Sequence, residues 1–351
     1  MVELSVIIPT YNRAGPLRTC LDALDRQTHP VAEYEVVVVV DGSTDGTDAM
    51  LRTLSPRYRF RVIRQRNAGQ PSALNRGIDA ATGTCCLFLD DDIIAEPALI
   101  AEHVGVHRTH GAAIGIGNIP WIVDADADWF AGGFGRVWNA HFESLTEGRR
   151  RPAWYDCYGG NMSAPRAALL DVGGVAGDLN YSHDIELAYR LHERGLRLVY
   201  LPRAVGCEHQ LKGFRELAVD CERHGAAAVE LLRRHPSAIT DLLGHFGNVG
   251  PRMLAARRLL LALNPPLPLL APIGRALYGT GAGPKWFRLT QDYCFWRGVR
   301  RAIGGSKLWH DVTRGVLGSD HPPAPGHDDA AASLGVKHSI GGRRAQWSAD
   351  R

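Results

Sequence analysis

Leu4-Ser5-Val6-Ile7-Ile8-Pro9-Thr10 and Glu35-Val36-Val37-Val38-Val39-Val40-Asp41 are two short β-branched runs, and each ends in polar residues. Between them Leu17, Cys20, Leu21 and Leu24 recur at i, i+3, i+4 and i+7, the stripe of a helix packed on a sheet. The unit is βαβ. After Asp41, Gly42-Ser43-Thr44-Asp45-Gly46-Thr47 is turn-rich and opens another helix, Phe60 to Arg64 reads as a further strand, and Leu74, Ile78 and Ala81 mark the helix after Pro71. The sheet is therefore expected to be parallel for at least its first half. Strand ends that carry polar loops are where such open sheets bind ligands.

The next strand ends abruptly. In Phe88-Leu89-Asp90-Asp91-Asp92-Ile93-Ile94 an apolar run gives way to three consecutive carboxylates. Like charges so placed raise one another's pKa unless a cation neutralises them, and oxygen-only ligands suit Mg²⁺ or Mn²⁺. Because Mg²⁺ is usually held by one or two carboxylates plus substrate phosphates, a phosphorylated ligand is implied as well. The bland alternative is a solvated acidic turn.

Four segments together carry a resemblance: Ser5 to Arg13, Val40 to Thr47, Asn67-Ala68-Gly69-Gln70-Pro71 with Ala73, Asn75 and Gly77, and Leu89 to Asp92. In this order they resemble family 2 glycosyltransferases of the GT-A fold, and a looser likeness runs to about residue 215. The resemblance implies an α/β fold, Rossmann-like, with a mostly parallel central sheet flanked by helices and a C-terminal helical extension. It implies that Thr10, Tyr11 and Arg13 border the nucleotide, that Asp41 accepts a hydrogen bond from the base, and that Asn67, Gly69 and Asn75 belong to the segment covering base and ribose. Asp90 and Asp92 match the two acids of the family's DXD motif, Asp90 towards ribose or metal and Asp92 on the metal, with Asp91 in the variable position beside the nucleotide. For Asp45, turn chemistry is the favoured reading.

Tyr158-Gly159-Gly160-Asn161-Met162-Ser163, Asp171-Val172-Gly173-Gly174 and Ser182-His183-Asp184-Ile185-Glu186 are similar to the acceptor half of the same family, where an acid opening a helix is the general base. Ser182 is placed to cap that helix, and Gly195 to end it before a strand over Leu196 to Leu201. Side chains two apart on a helix diverge, so Asp184 and Glu186 do not share one reacting atom. Asp184 is preferred. The family commonly has an acid where this chain has His183, which is the competing base. The resemblance also suggests a late histidine as an extra metal ligand, and His209 fits. A histidine among oxygen ligands favours Mn²⁺.

The chain has 351 residues, 45 % hydrophobic, 22 % charged and of net charge +3. Such a small charge gives no case for nucleic acid. Seven cysteines without a CxxC pair, and an initial apolar run broken at Pro9, lead to the expectation of a reduced, cytoplasmic protein. The expected division is 1–115 for the nucleotide-sugar half, 116–215 for the acceptor half, 216–310 for a helical extension and 311–351 for a disordered tail. Leu254 to Leu263, followed by Asn264-Pro265-Pro266-Leu267-Pro268-Leu269-Leu270-Ala271-Pro272, is too short and too broken to span a bilayer. With Arg257 and Arg258 before the apolar run Leu259 to Leu263, and Trp286, Phe287, Trp296, Arg297, Arg300 and Arg301 after it, a peripheral contact with the inner membrane face is one reading and a buried helical cap the favoured one. All eight tryptophans follow residue 120, four of them around Ala131-Gly132-Gly133-Phe134-Gly135. Aromatic faces beside a mobile glycine-rich loop suit an acceptor site, although core packing accounts for most such residues.

The expected reaction is transfer from a nucleotide-diphosphate sugar to a saccharide or lipid-linked acceptor, with inversion, Mn²⁺ or Mg²⁺ as cofactor and Asp184 as base. Two other readings are a catalytically silent nucleotide-sugar-binding protein and a sugar nucleotidyltransferase. The second should carry a glycine-rich phosphate loop after the first strand, unlike Pro9-Thr10-Tyr11-Asn12. A processive polysaccharide synthase should show spanning helices and a QxxRW motif, and the sequence has neither.

Overall fold

The structure is a computed structural model that describes residues 2–238, 241 and 249–304. The tail expected over 311–351 lies outside the described residues. Strands β1 (Leu4–Thr10), β2 (Tyr34–Asp41), β3 (Arg59–Gln65), β4 (Cys85–Leu89), β5 (Ile93–Ala95), β6 (Ala113–Asn118), β7 (Trp121–Val123), β8 (Asn161–Pro165) and β9 (Arg197–Gln210) form one sheet. Its order is β3-β2-β1-β4-β8-β6-β9-β5, with β7 also on β9. The first four strands are mutually parallel, as expected. Val36 to Val40 are at most 2 % exposed, so β2 is covered on both faces. Each such side chain contributes roughly 1.5–3 kcal/mol of burial. Helix α1 (Ala14–Leu24) buries the predicted Leu17, Cys20, Leu21 and Leu24.

Past β4 the direction alternates. β8 runs antiparallel to both β4 and β6, and β6 is parallel to β9. With Asn161 opposite Leu89, the loop entering β8 necessarily lies beside the acidic end of β4. The strand expected to stop at Leu201 continues to Gln210. Leu201 pairs with Gly117 but Val205 with Asn118, so residues 202–204 form a bulge, and Pro202, which has no N–H to donate, sits within it. Beyond the bulge β9 pairs with β5 and β7.

The glycine-rich stretch is also read differently by the structure. It lies inside helix α5 (Trp129–Thr146), capped by Asp128, and is not a loop. A Cβ at Gly133 would stand 2.3 Å from Cδ2 of Phe287, and one at Gly135 would stand 2.5 Å from Cγ2 of Val123. Here glycine serves close helix packing. Trp129 and Trp154 are core residues, at 4 % and 2 % exposure.

Helices α2 (Thr47–Arg52), α3 (Gln70–Ala80), α4 (Leu99–His110), α6 (Arg166–Asp171) and α7 (His183–Glu193) flank the sheet. The extension contributes α8 (Phe214–Arg234), α9 (Pro251–Leu263), α10 (Leu270–Leu277) and α11 (Gly283–Ile303). Among the described residues no helix is long and apolar enough to cross a membrane. α8 and α11 cross where each presents a glycine to the other's backbone. A Cβ at Gly225 would lie 2.0 Å from the Phe295 carbonyl oxygen, and one at Gly298 would lie 1.9 Å from that of Glu222. Glu222 pairs with Arg297 and Arg301 at this crossing.

Gly298→Ala tests this contact. Helix propensity alone would favour alanine by about 1 kcal/mol, but the clash is with backbone and cannot be relieved by a rotamer change. Overpacking of roughly 1–3 kcal/mol should win. Urea unfolding should show a net loss of stability, and equal or greater stability would contradict so close a crossing.

Candidate functional site

The site forms where the C-terminal ends of β1, β2 and β4 meet the start of β8, the end of β9 and the start of α7. Thr10, the last residue of β1, is buried and donates through Oγ1 to Asp91 Oδ2 at 2.7 Å. It does not face the open site, as the resemblance implied, but fixes the middle acid. Arg13, at the entrance to α1, pairs with both Asp91 (3.0 Å) and Asp92. Asp90 accepts from Gln70 Nε2 at 2.9 Å. Tyr11 stands 48 % exposed at the rim.

Asp41 is buried, and its carboxylate accepts from Gln65 Nε2, the Ala68 amide and the Gly69 amide at 2.8–2.9 Å. Its work in the structure is to shape the loop before α3, with Asn67 exposed on that loop. Asp45 follows turn chemistry, accepting from the Thr47 and Ala14 amides. Asn75, expected at the nucleotide, is committed elsewhere: its amide makes a two-way bond with the Val175 backbone, both at 2.8 Å, tying α3 to the loop after α6.

The second half brings its acid to the same place. Gly160 abuts Asp90, with a Cβ there falling 3.0 Å from Asp90 Oδ2, and the Gly159 amide donates to Asp184 Oδ2 at 2.8 Å. Asp184 lies in the first turn of α7, as expected. Glu186 diverges from it to pair with Arg190 and His235. Ser182 makes no side-chain cap; it occupies a left-handed conformation, and its hydroxyl meets His224 Nδ1 at 3.3 Å. His183 is 7 % exposed, with Nδ1 buried and unpartnered.

His209 is not part of this arrangement. Its Nε2 pairs with Asp124 at 2.9 Å on the exposed side of β9. Side chains alternate along a strand, so the residue turned towards the acids is its neighbour Glu208, opposite Ile93 and held by the Trp121 indole N–H at 2.8 Å. Among the described residues no group of three or more His, Cys, Asp or Glu side chains is assembled to hold a metal ion.

The electrostatics explain what the acids lack. Burial, then Asp92, Asp91, Glu208 and Asp184, push the Asp90 carboxyl well above the usual range. Burial lifts Asp91 to about 6 against the pull of Thr10 and Arg13, and burial with Asp92 lifts Glu208 to about 7. Oxygen donors short of positive charge are the chemistry that suits a hard divalent cation, although Asp90, Asp92 and Glu208 do not stand as an assembled ligand group in this structure. Without His209, the argument that favoured Mn²⁺ is gone.

Sequence reasoning also missed a wall contributed by α8. Lys212 pairs with Asp220 at 2.9 Å, and Arg223 donates to Tyr181 Oη at 2.6 Å. Burial pushes the His224 imidazole down, opposed by Asp184 and Asp220. Their spacing at i, i+3 and i+4 on α8 was visible in the sequence, but nothing local tied that face to Asp184.

Residues 5–173, just under half the chain, match the model of glycosyl transferase family 2. The chain is 29 % identical over 293 residues to a validoxylamine A glucosyltransferase of Streptomyces hygroscopicus subsp. jinggangensis, covering 70 % of this chain and 65 % of that protein. It therefore spans just under two thirds of that relative's length. It is 27 % identical over 230 residues to the glycosyltransferase AglE of Haloferax volcanii, covering 65 % of this chain and 73 % of that protein. In fold it is similar to the mannosyltransferase PcManGT from Pyrobaculum calidifontis, solved with GDP-Man and Mn²⁺, with a TM-score of 0.59 at 20 % identity over 86 % of this chain and 87 % of that one.

Asp41→Ala would leave two backbone amides and one side-chain amide without their acceptor. Urea unfolding should register a loss of about 2 kcal/mol, and hydrogen exchange should quicken at Ala68 and Gly69. Unchanged exchange at those two amides would remove Asp41 as the anchor of the loop.

Proposed function

We propose that this chain, which belongs to glycosyl transferase family 2, moves a sugar from a nucleoside-diphosphate sugar to an acceptor hydroxyl with inversion, using Asp184 as base. One observation carries the reading: Gly159 and Gly160, consecutive residues, touch Asp184 and Asp90 respectively. A proton acceptor and a cation-hungry strand end thus flank one short piece of backbone, as a single in-line displacement requires.

In this reading the nucleotide lies across the ends of β1 and β2, between Tyr11 and the Asn67–Gly69 loop that Asp41 shapes. Asp90 and Asp92, with Glu208 beside them, would hold a divalent cation. When bound, that cation supplies charge neutralisation for the departing diphosphate. Asp184 orients the acceptor hydroxyl and takes its proton. The acceptor oxygen then bonds to the anomeric carbon as the bond to the diphosphate oxygen breaks, its electron pair leaving with the nucleoside diphosphate. The wall formed by Tyr181, Lys212, Arg223 and His224 borders the acceptor side. The acceptor is a hydroxyl of a saccharide or a lipid-linked glycan. Asp184 is favoured over His183 because its carboxylate meets the Gly159 amide, whereas His183 is packed beneath the helix start.

Asp184→Asn should retain the fold and donor binding while turnover falls by about 10²–10⁴-fold, the usual worth of a positioned base. His183→Ala should cost far less, and the reverse ranking in a transfer assay would move the base to His183. For the cation, Glu208→Gln and Asp92→Ala should each weaken Mg²⁺- or Mn²⁺-dependent donor binding in calorimetry. Donor affinity equal with and without EDTA in the unaltered protein would rule the cation site out.

A further inference from the structure

The outer surface of the extension does not resemble the rest of the molecule. In α9, Leu259 and Leu263 are 60 % and 68 % exposed at i and i+4. Across the turn at Asn264-Pro265-Pro266, Leu269 and Ile273 repeat that spacing at 61 % and 44 %, and Tyr278 follows at 48 %. The opposite sides of the same helices are packed: Leu261 and Leu270 are buried, and Gly274 lies against Trp129, where a Cβ would stand 2.1 Å from the indole. The exposed leucines are therefore the outer face of an ordered element. Exposed large apolar side chains clustered on successive helices mark a partner surface.

Charge identifies the partner. From 249 to 291 the sequence holds six Lys and Arg and no Asp or Glu. Arg257 turns inward, pairing with Asp292 and lying over the Trp296 ring at 4.6 Å. Arg252, Arg258, Arg275, Lys285 and Arg288 form no ion pair among the described residues and are exposed. Apolar side chains rimmed by unpaired cations, on helices too short to cross a bilayer, fit an interface that is greasy in the middle and negative at the edge. A second copy of this chain would bring the same cations against themselves.

We propose that the exposed faces of α9 and α10 dock on an anionic lipid bilayer. The buried-cap reading of the sequence accounts for the inner face only. α10 packs on α5 and α11, and α11 crosses α8, whose first turns wall the cleft beside Asp184. Docking would thus hold the acceptor side of the site close to the lipid surface. In this respect the inference builds on the proposed function, though the docking itself does not require it.

The test is flotation of the full chain with vesicles of phosphatidylcholine alone or mixed equally with phosphatidylglycerol. Binding should be confined to the mixed vesicles and should fall as salt rises from about 0.05 to about 0.5 M, where charge screening becomes strong. Leu259→Glu with Leu263→Glu should reduce flotation at least tenfold, and Arg258→Glu with Arg275→Glu should do so through charge alone. All four positions are exposed, and thermal melts should show the variants folded. Equal flotation of variants and unaltered protein, no flotation of either, or loss of self-association as the sole effect in sedimentation would each overturn the proposal. Donor binding, measured in parallel, reports separately on the transferase reading.

Discussion

Everything at the working end of this sheet depends on holding several carboxylates of like charge in one cleft. Two unit charges 4 Å apart interact by about 4 kcal/mol at the effective dielectric of a protein surface, so each acid needs a specific partner. Asp90, Asp91, Asp92, Glu208 and Asp184 converge from three parts of the chain, the turn after β4, β9 and the start of α7. Arg13, Thr10, Gln70, Trp121 and the Gly159 amide answer them one by one. The partners come from β1, α1, α3, β7 and the β8 loop, which makes the cleft a point where nearly every layer of the fold is tied together.

The extension shares in that task. Its anchoring is steric: two glycines let α8 and α11 meet backbone to backbone, and Glu222 with Arg297 and Arg301 closes the crossing. Because α8 begins soon after β9 ends, the strand that positions Glu208 leads directly into the helix that carries Asp220, Arg223 and His224. The sheet and the helical layer therefore bear on the cleft through one continuous piece of chain.

What could be read from the sequence was what is encoded locally. The stripe of α1, the parallel strands β1 to β4, the acids after Leu89 and the acid opening α7 each show in a window of a dozen residues or fewer, and each stands where expected. The misreadings concern tertiary register. Whether Glu208 or His209 faces the acids depends on a bulge at residues 202–204 and on pairing with Ile93, two facts held by other strands. Asn75 looked like a ligand because its motif faces the loop in sequence, while its actual partner, Val175, lies a hundred residues away. Glycines 133 and 135 suggest a loop until Phe287 and Val123 are seen against them.

The three consecutive aspartates are not equivalent, and their partners show why. Asp91 is fixed: its side chain is 8 % exposed, and it holds a buried hydroxyl as well as Arg13. Asp92, at 23 %, is paired with a guanidinium that is itself 43 % exposed. A pair that open to water contributes little, commonly under about 1 kcal/mol, so its replacement by another cation costs little. Asp90 has the exposed Gln70 amide, an uncharged and equally replaceable partner. The three acids form the turn between β4 and β5, closed by the Ile93 amide donating to the Asp90 carbonyl at 3.2 Å, and this turn separates their side chains and partners. It leaves the outer two acids free to change partners without disturbing the middle one, which ties the strand end to β1.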